Sequence, residues 1–146
     1  MQKSSELDFS KCTLPTDEGT SLPPKCYSSP DIAKEEIDHI FRSSWIGIGR
    51  SDLIRKPGHY VCLDFAQQSI ILVRDQEKRL HAYANTCRHR GARLLNGEGS
   101  LKGIRCPFHS WYYGLSGKLI AAPQMEEAKA FDKVNYGLIE YKTEER

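Results

Sequence analysis

At 146 residues, with 39% hydrophobic and 27% charged side chains, the chain is sized for one domain with a real core and is short for two. A net charge of +2 on a nearly balanced composition gives no reason to expect nucleic acid or anionic lipid as a partner. The opening residues hold no apolar run of signal-peptide character, and no stretch approaches the roughly 18 apolar residues of a membrane span, so a cytoplasmic location is expected.

Residues 1–29 are polar and broken by Pro15, Pro23 and Pro24, which predicts an extended arm. The domain proper is expected over residues 30–146. It opens with a helix over 30–42, with Ser29 as cap, Pro30 in the first turn and Asp31 at the positive end. Ala33, Ile37, Ile40 and Phe41 fall on one face, a stripe suited to packing on a sheet. Short β-like runs follow: Trp45–Gly49, Tyr60–Phe65, Ile70–Arg74 and Leu80–Ala84, with a turn at Asp75-Gln76-Glu77-Lys78. Gly97-Glu98-Gly99-Ser100 reads as a loop, and Leu101–Arg105 as the next strand. Tyr112–Leu115 and Lys118–Ala121 flank a Ser116-Gly117 hairpin turn, and Gly137–Tyr141 is a final strand. Many short strands with frequent turns predict an all-β antiparallel sandwich or small barrel plus one helix.

Five cysteines without a secretory signal argue against a disulfide framework. Cys12, Cys26 and Cys62 stand alone and are expected to be structural or incidental. Cys87 and Cys106 differ, because each is closely followed by a histidine. Cys87-Arg88-His89 is separated by sixteen residues from Cys106-Pro107-Phe108-His109. Two loops thus each supply one thiolate and one imidazole. Structural zinc usually takes like ligands in pairs from one loop, whereas one of each per loop suits a cluster with two inequivalent irons. In that arrangement the cysteines hold one iron and the histidines the other, with tetrahedral zinc as the competing reading. His39, His59 and His81 have no partner at ligand spacing and are expected on the surface or in packing.

Cys87-Arg88-His89-Arg90-Gly91 together with Cys106-Pro107-Phe108-His109-Ser110-Trp111-Tyr112-Tyr113 resembles the Rieske domain of the Rieske non-haem iron ring-hydroxylating oxygenases. The likeness extends to Leu22-Pro23-Pro24, Tyr27, Ser29-Pro30-Asp31, Phe41-Arg42-Ser43-Ser44-Trp45 and Pro57-Gly58-His59-Tyr60. Downstream it takes in Gly117-Lys118-Leu119-Ile120 and Ala122-Pro123, so it covers roughly residues 20–141.

The resemblance implies a Rieske-type antiparallel β sandwich with an amino-terminal helix and a two-loop cluster-binding subdomain over 87–111. It implies a Rieske 2Fe–2S cofactor on Cys87, His89, Cys106 and His109, with Arg88, Arg90, Gly91, Trp111 and Tyr113 beside it. High-potential relatives carry a disulfide between the two loops; the corresponding positions here are Ala92 and Phe108. Trp111 stands where those proteins offer a serine hydroxyl to the cluster, while Tyr113 is retained where a tyrosine often donates to a cysteine sulfur. Together these imply a potential toward the low end of the roughly −150 to +300 mV Rieske range. Ser110 stands where the family usually has glycine, a strain of about 1 kcal/mol if that position needs a positive φ. Arg88, Arg90 and Arg105 form either a basic docking rim or a solvated charged face.

In such oxygenases the chemistry occurs at a mononuclear iron held by two histidines and a carboxylate, and no such set is found after His109. The chain is therefore expected to move single electrons and not to hydroxylate a substrate unaided. The resemblance implies a ferredoxin or flavin reductase as donor, an oxygenase catalytic domain or subunit as acceptor, and a homo-oligomer. A free-standing Rieske ferredoxin, or a redox or metal-binding interaction module, is the alternative.

Overall fold

The computed structural model describes residues 7–146, which fall into two compact units meeting at Gly47 and Ile48. In the first unit the expected arm is not uniformly extended. Residues 7–24 make turns closed by Cys12 N–H to Phe9 O and Gly19 N–H to Pro15 O, and a helical turn, α1, spans Lys25–Ser28. Residues 1–6 of that arm lie outside the described residues.

Helix α2 (Pro30–Glu36) starts where the cap signals place it, with Pro30 at its first position and Asp31 in its first turn. Ser29 occupies the cap position, but its hydroxyl makes no capping bond; its carbonyl accepts from Ala33 N–H. The winding continues to Phe41 as a wider π turn, in which Arg42 N–H reaches back to Ile37 O. The stripe expected to be buried is not: neither helical stretch contains a buried residue.

In the second unit, a 3-10 turn at Ser51–Ile54 precedes β1 (His59–Phe65), β2 (Gln68–Arg74), β3 (Leu80–Ala84) and β4 (Glu98–Ser100). Then come β5 (Ile104–Arg105), β6 (Tyr112–Tyr113), β7 (Leu119–Ala121), a 3-10 turn at Lys133–Tyr136, and β8 (Glu140–Tyr141). Five strands form one antiparallel sheet in the order β4-β1-β2-β3-β8, and β5-β6-β7 form a second. Among the described residues the second unit is all-β and antiparallel, without a closed barrel.

β2 is the central strand, and its Ile70-Ile71-Leu72-Val73 run is apolar without alternation because both faces are covered. Ile71 and Val73 face the main core, with Tyr83, Ile104, Trp111, Tyr113, Leu115 and Leu119. Leu72 points to the other face, where Ala82 and Ile54 close over it. Alternate residues of one strand therefore serve two cores.

Two expected elements differ for identifiable reasons. Trp45–Gly49 is not a strand; no neighbouring strand pairs with it, and Gly47 and Gly49 give it little intrinsic β preference. Glu98–Ser100, read as loop, is an edge strand because β1 supplies its partner, and the missing side chain at Gly99 lets the Tyr60 ring lie against the backbone. The β1–β2 hairpin turns on Ala66 and Gln67, both with positive φ (48° and 61°), the conformation that a two-residue hairpin demands and that Asn-Gly usually announces. Among the described residues, no helix is long and apolar enough to cross a membrane.

Candidate metal centre

Two loops of nearly the same construction carry the predicted donors. The first leaves β3 through Asn85 and Thr86 and is closed at its base by a bridge between Thr86 and Arg93. Cys87 N–H donates to Ala92 O at 2.8 Å, and Gly91 N–H donates to Cys87 O at 3.0 Å. The second loop joins β5 to β6, and there Cys106 N–H donates to Trp111 O at 2.8 Å while Ser110 N–H donates to Cys106 O at 3.2 Å. Each cysteine is thus fixed by its own backbone at the root of a tight loop, with its histidine displaced toward the tip.

The four predicted donors come together as two like pairs. Cys87 and Cys106 are buried, free and close enough for their thiols to interact. The His89 and His109 rings stand edge to face, 4.7 Å apart between centroids. Two pairs from two loops are the pattern of mixed ligation to two irons. His89 Nδ1 is buried and has no hydrogen-bond partner, which in a protein interior is costly unless a ligand takes its lone pair. The donor set and this unpaired nitrogen fit a 2Fe–2S cluster.

Tyr113 reaches the same place from β6. Its hydroxyl accepts from Arg88 N–H at 3.0 Å, which leaves its own proton for Cys87 Sγ at 3.3 Å. Burial pushes the Cys87 thiol up, and this hydrogen bond opposes the push. Burial, the adjacent His109 and Arg90 together push His89 toward its neutral form, the form that binds metal. Trp111, where relatives of high potential offer a hydroxyl, is 1% exposed and stacks on His89 at 4.8 Å with the rings 8° from parallel.

Gly91 and Gly97 have positive φ, as does Ser110, whereas Gly99 does not. Arg88, Arg90 and Arg105 are exposed around the loops, with the Arg105 guanidinium lying over the Tyr112 ring at 5.1 Å. Phe108 projects from the second loop with 76% of its surface exposed. Cys12, Cys26 and Cys62 are half-buried, free thiols.

Sequence reasoning missed three contributors. Asn85 is fully buried and ties both loop ends to β2: its Oδ1 accepts from Leu94 N–H and Leu95 N–H at 3.1 and 2.9 Å. Its Nδ2 donates to Leu95 O and Ser69 Oγ at 2.7 and 3.1 Å. Phe131 and Tyr136 pack behind Trp111 at 5.4 and 5.8 Å. No spacing rule marks any of the three, since none lies within the motif they support.

A paired-loop, mixed-donor site on two small antiparallel sheets defines an iron–sulfur domain of the Rieske kind. Residues 44–132 match the Rieske [2Fe-2S] domain, and the chain belongs to that family. It is 33% identical over 135 residues to the carnitine monooxygenase oxygenase subunit of Acinetobacter baumannii, covering 92% of this chain and 36% of that one. It is 30% identical over 144 residues to the benzene 1,2-dioxygenase subunit alpha of Pseudomonas putida, covering 97% of this chain and 31% of the relative. The solved structure of the quaternary ammonium Rieske monooxygenase CntA with gamma-butyrobetaine superposes with a TM-score of 0.88 at 30% identity, over 97% of this chain and 40% of CntA. The chain thus spans about a third of the length of the curated relatives it matches.

Proposed function

We propose that Cys87 and Cys106 hold one iron of a Rieske 2Fe–2S cluster and His89 and His109 the other. The domain, residues 30–146 with the helix leading into the β structure, serves an oxygenase. It receives single electrons from a ferredoxin or flavin reductase and passes them to a mononuclear iron on a catalytic domain or subunit. The observation that carries this reading is the pairing of two buried thiols with two adjacent imidazoles, one of them with an unpaired buried nitrogen.

A bound Rieske cluster supplies reversible one-electron oxidation and reduction. The protein holds the two sulfurs in a dry core and donates the Tyr113 proton toward one of them. Position 111 contributes an indole and no hydroxyl, and no disulfide joins the loops. These features support a potential toward the low end of the Rieske range. Exposed Arg88 and Arg90 offer a basic rim to an acidic partner. An odd number of cysteines, five, supports a reducing, cytoplasmic setting, and the likeness to oxygenase subunits supports a homo-oligomer. The chain is about equally similar to the carnitine and benzene relatives, which supports an electron-carrying part common to both kinds of oxygenase.

The test is anaerobic reconstitution with iron and sulfide. Iron and acid-labile sulfide in equal amounts, a reddish-brown colour and an axial resonance on reduction are expected. Replacing His109 with cysteine should abolish or shift the mixed-ligand spectrum. A folded, colourless protein that takes up zinc alone would overturn the assignment.

A further inference from the structure

The two imidazoles are not supported alike. His109 has two ring neighbours, the edge of His89 and the exposed Phe108 at 6.1 Å. His89 instead lies flat on Trp111, and behind Trp111 sit Phe131 and Tyr136, themselves 4.8 Å apart. Three rings from two separate parts of the chain thus form a wall against one histidine.

The wall is itself braced. Asp132 accepts from Val134 N–H and caps the 3-10 turn that ends at Tyr136. Lys133 Nζ donates to Ile120 O, and Leu138 N–H donates to Gly117 O, so the turn is tied to the β6–β7 hairpin at two points. That hairpin begins one residue after Trp111. A parallel ring pair leaves the imidazole little freedom to tip, because tipping would open a gap on one side of the stack and close contacts on the other.

The geometry points to Phe131 and Tyr136 as positioning residues that act through Trp111 to hold the His89 imidazole in its ligating orientation. This rests on His89 being a ligand, as proposed above. The histidine-held iron is then sensitive to a segment more than twenty residues beyond the second loop's histidine. His109 is set by its loop.

The test uses the reconstituted chain with Phe131→Leu, Tyr136→Leu, Tyr136→Phe and, as a remote control in the other core, Ile54→Val. Both leucine variants should shift the g values of the reduced cluster and retain it about tenfold less well against an iron chelator. Tyr136→Phe, which keeps the ring, should match the unaltered protein. Ile54→Val should lower the melting temperature and leave the g values unchanged. Should a leucine variant not fold, the flexible methionine side chain fills the gap more adaptably without a ring plane and carries the same test. Leucine or methionine variants with unaltered g values and retention, but lower melting temperatures, would overturn the inference and leave these rings as ordinary core. Absence of any mixed-ligand signal in the unaltered protein would instead overturn the ligand assignment itself.

Discussion

Ser110 and Gly91 occupy the same place in the two loops. Each lies four residues after its cysteine, returns its N–H to that cysteine's carbonyl, and has positive φ, 59° and 74° respectively. The position requires a left-handed residue, and only one loop has the residue suited to it.

Replacing Ser110 with glycine should therefore stabilise the protein. Relief of about 1–2 kcal/mol of backbone strain is offset by about 0.4–1 kcal/mol of added unfolded-state entropy, for a net gain near 0.5–1 kcal/mol. Gly91→Ala should cost about 1 kcal/mol by the same reasoning. Urea midpoints of both variants check the pair, and a destabilised Ser110→Gly would show that the serine hydroxyl outweighs the strain.

Tyr113→Phe removes the proton directed at Cys87 Sγ. A hydrogen bond to sulfur favours the more negative, reduced state, so its loss should lower the reduction potential. A difference of about 1 kcal/mol corresponds to about 40 mV for one electron. Spectroelectrochemical titration of the two proteins reads the shift, and an unchanged potential would remove Tyr113 from the tuning role.

His81 stands between two carboxylates, with Nε2 2.9 Å from buried Asp75 Oδ2 and Nδ1 2.6 Å from Glu140 Oε1. Burial would lower His81, but the hydrogen bonds to Glu140 and Asp75 win and raise it. Burial would likewise raise Asp75, but bonds from His81 and Arg79 hold it at about 2. A raised histidine contributes stability that is complete below its unfolded value, near 6.5, and is lost as pH climbs through the folded value. A depressed carboxylate contributes stability above its unfolded value, near 3.9, that is lost toward pH 2. Melting temperature should thus fall from pH 6 toward alkaline pH in the native protein, and less so in His81→Gln. Parallel profiles for the two proteins would contradict the bridge.

Asn85→Ala should cost about 2–4 kcal/mol, because it strands two backbone N–H groups and a carbonyl in the interior. Hydrogen exchange should rise first at Leu94 and Leu95, whose amides lose their acceptor. Unchanged protection there would refute the staple.

Much of the fold was legible in local pattern. Leu80–Ala84 was placed without error, because strand propensity and the flanking turn agree. The Asp75–Lys78 turn is closed by Lys78 N–H to Asp75 O, as its composition suggested. Glu98–Ser100 was missed because an edge strand of Gly, Glu and Ser is made by its partner β1 and not by its own preferences. The helical stripe was misread because periodicity states that a face is apolar, not what covers it.

The sequence alone determined the candidate donors, their spacing and the loops that carry them, since a cysteine and its histidine two or three residues on are positioned by one short stretch of backbone. Only the tertiary structure decided what surrounds them. Trp111 meets Phe131 and Tyr136, Asn85 binds Ser69 and Leu95, and His81 meets Glu140 because packing joins segments remote along the chain. Such contacts depend on which strands pair and which faces they bury, and no local spacing encodes that choice.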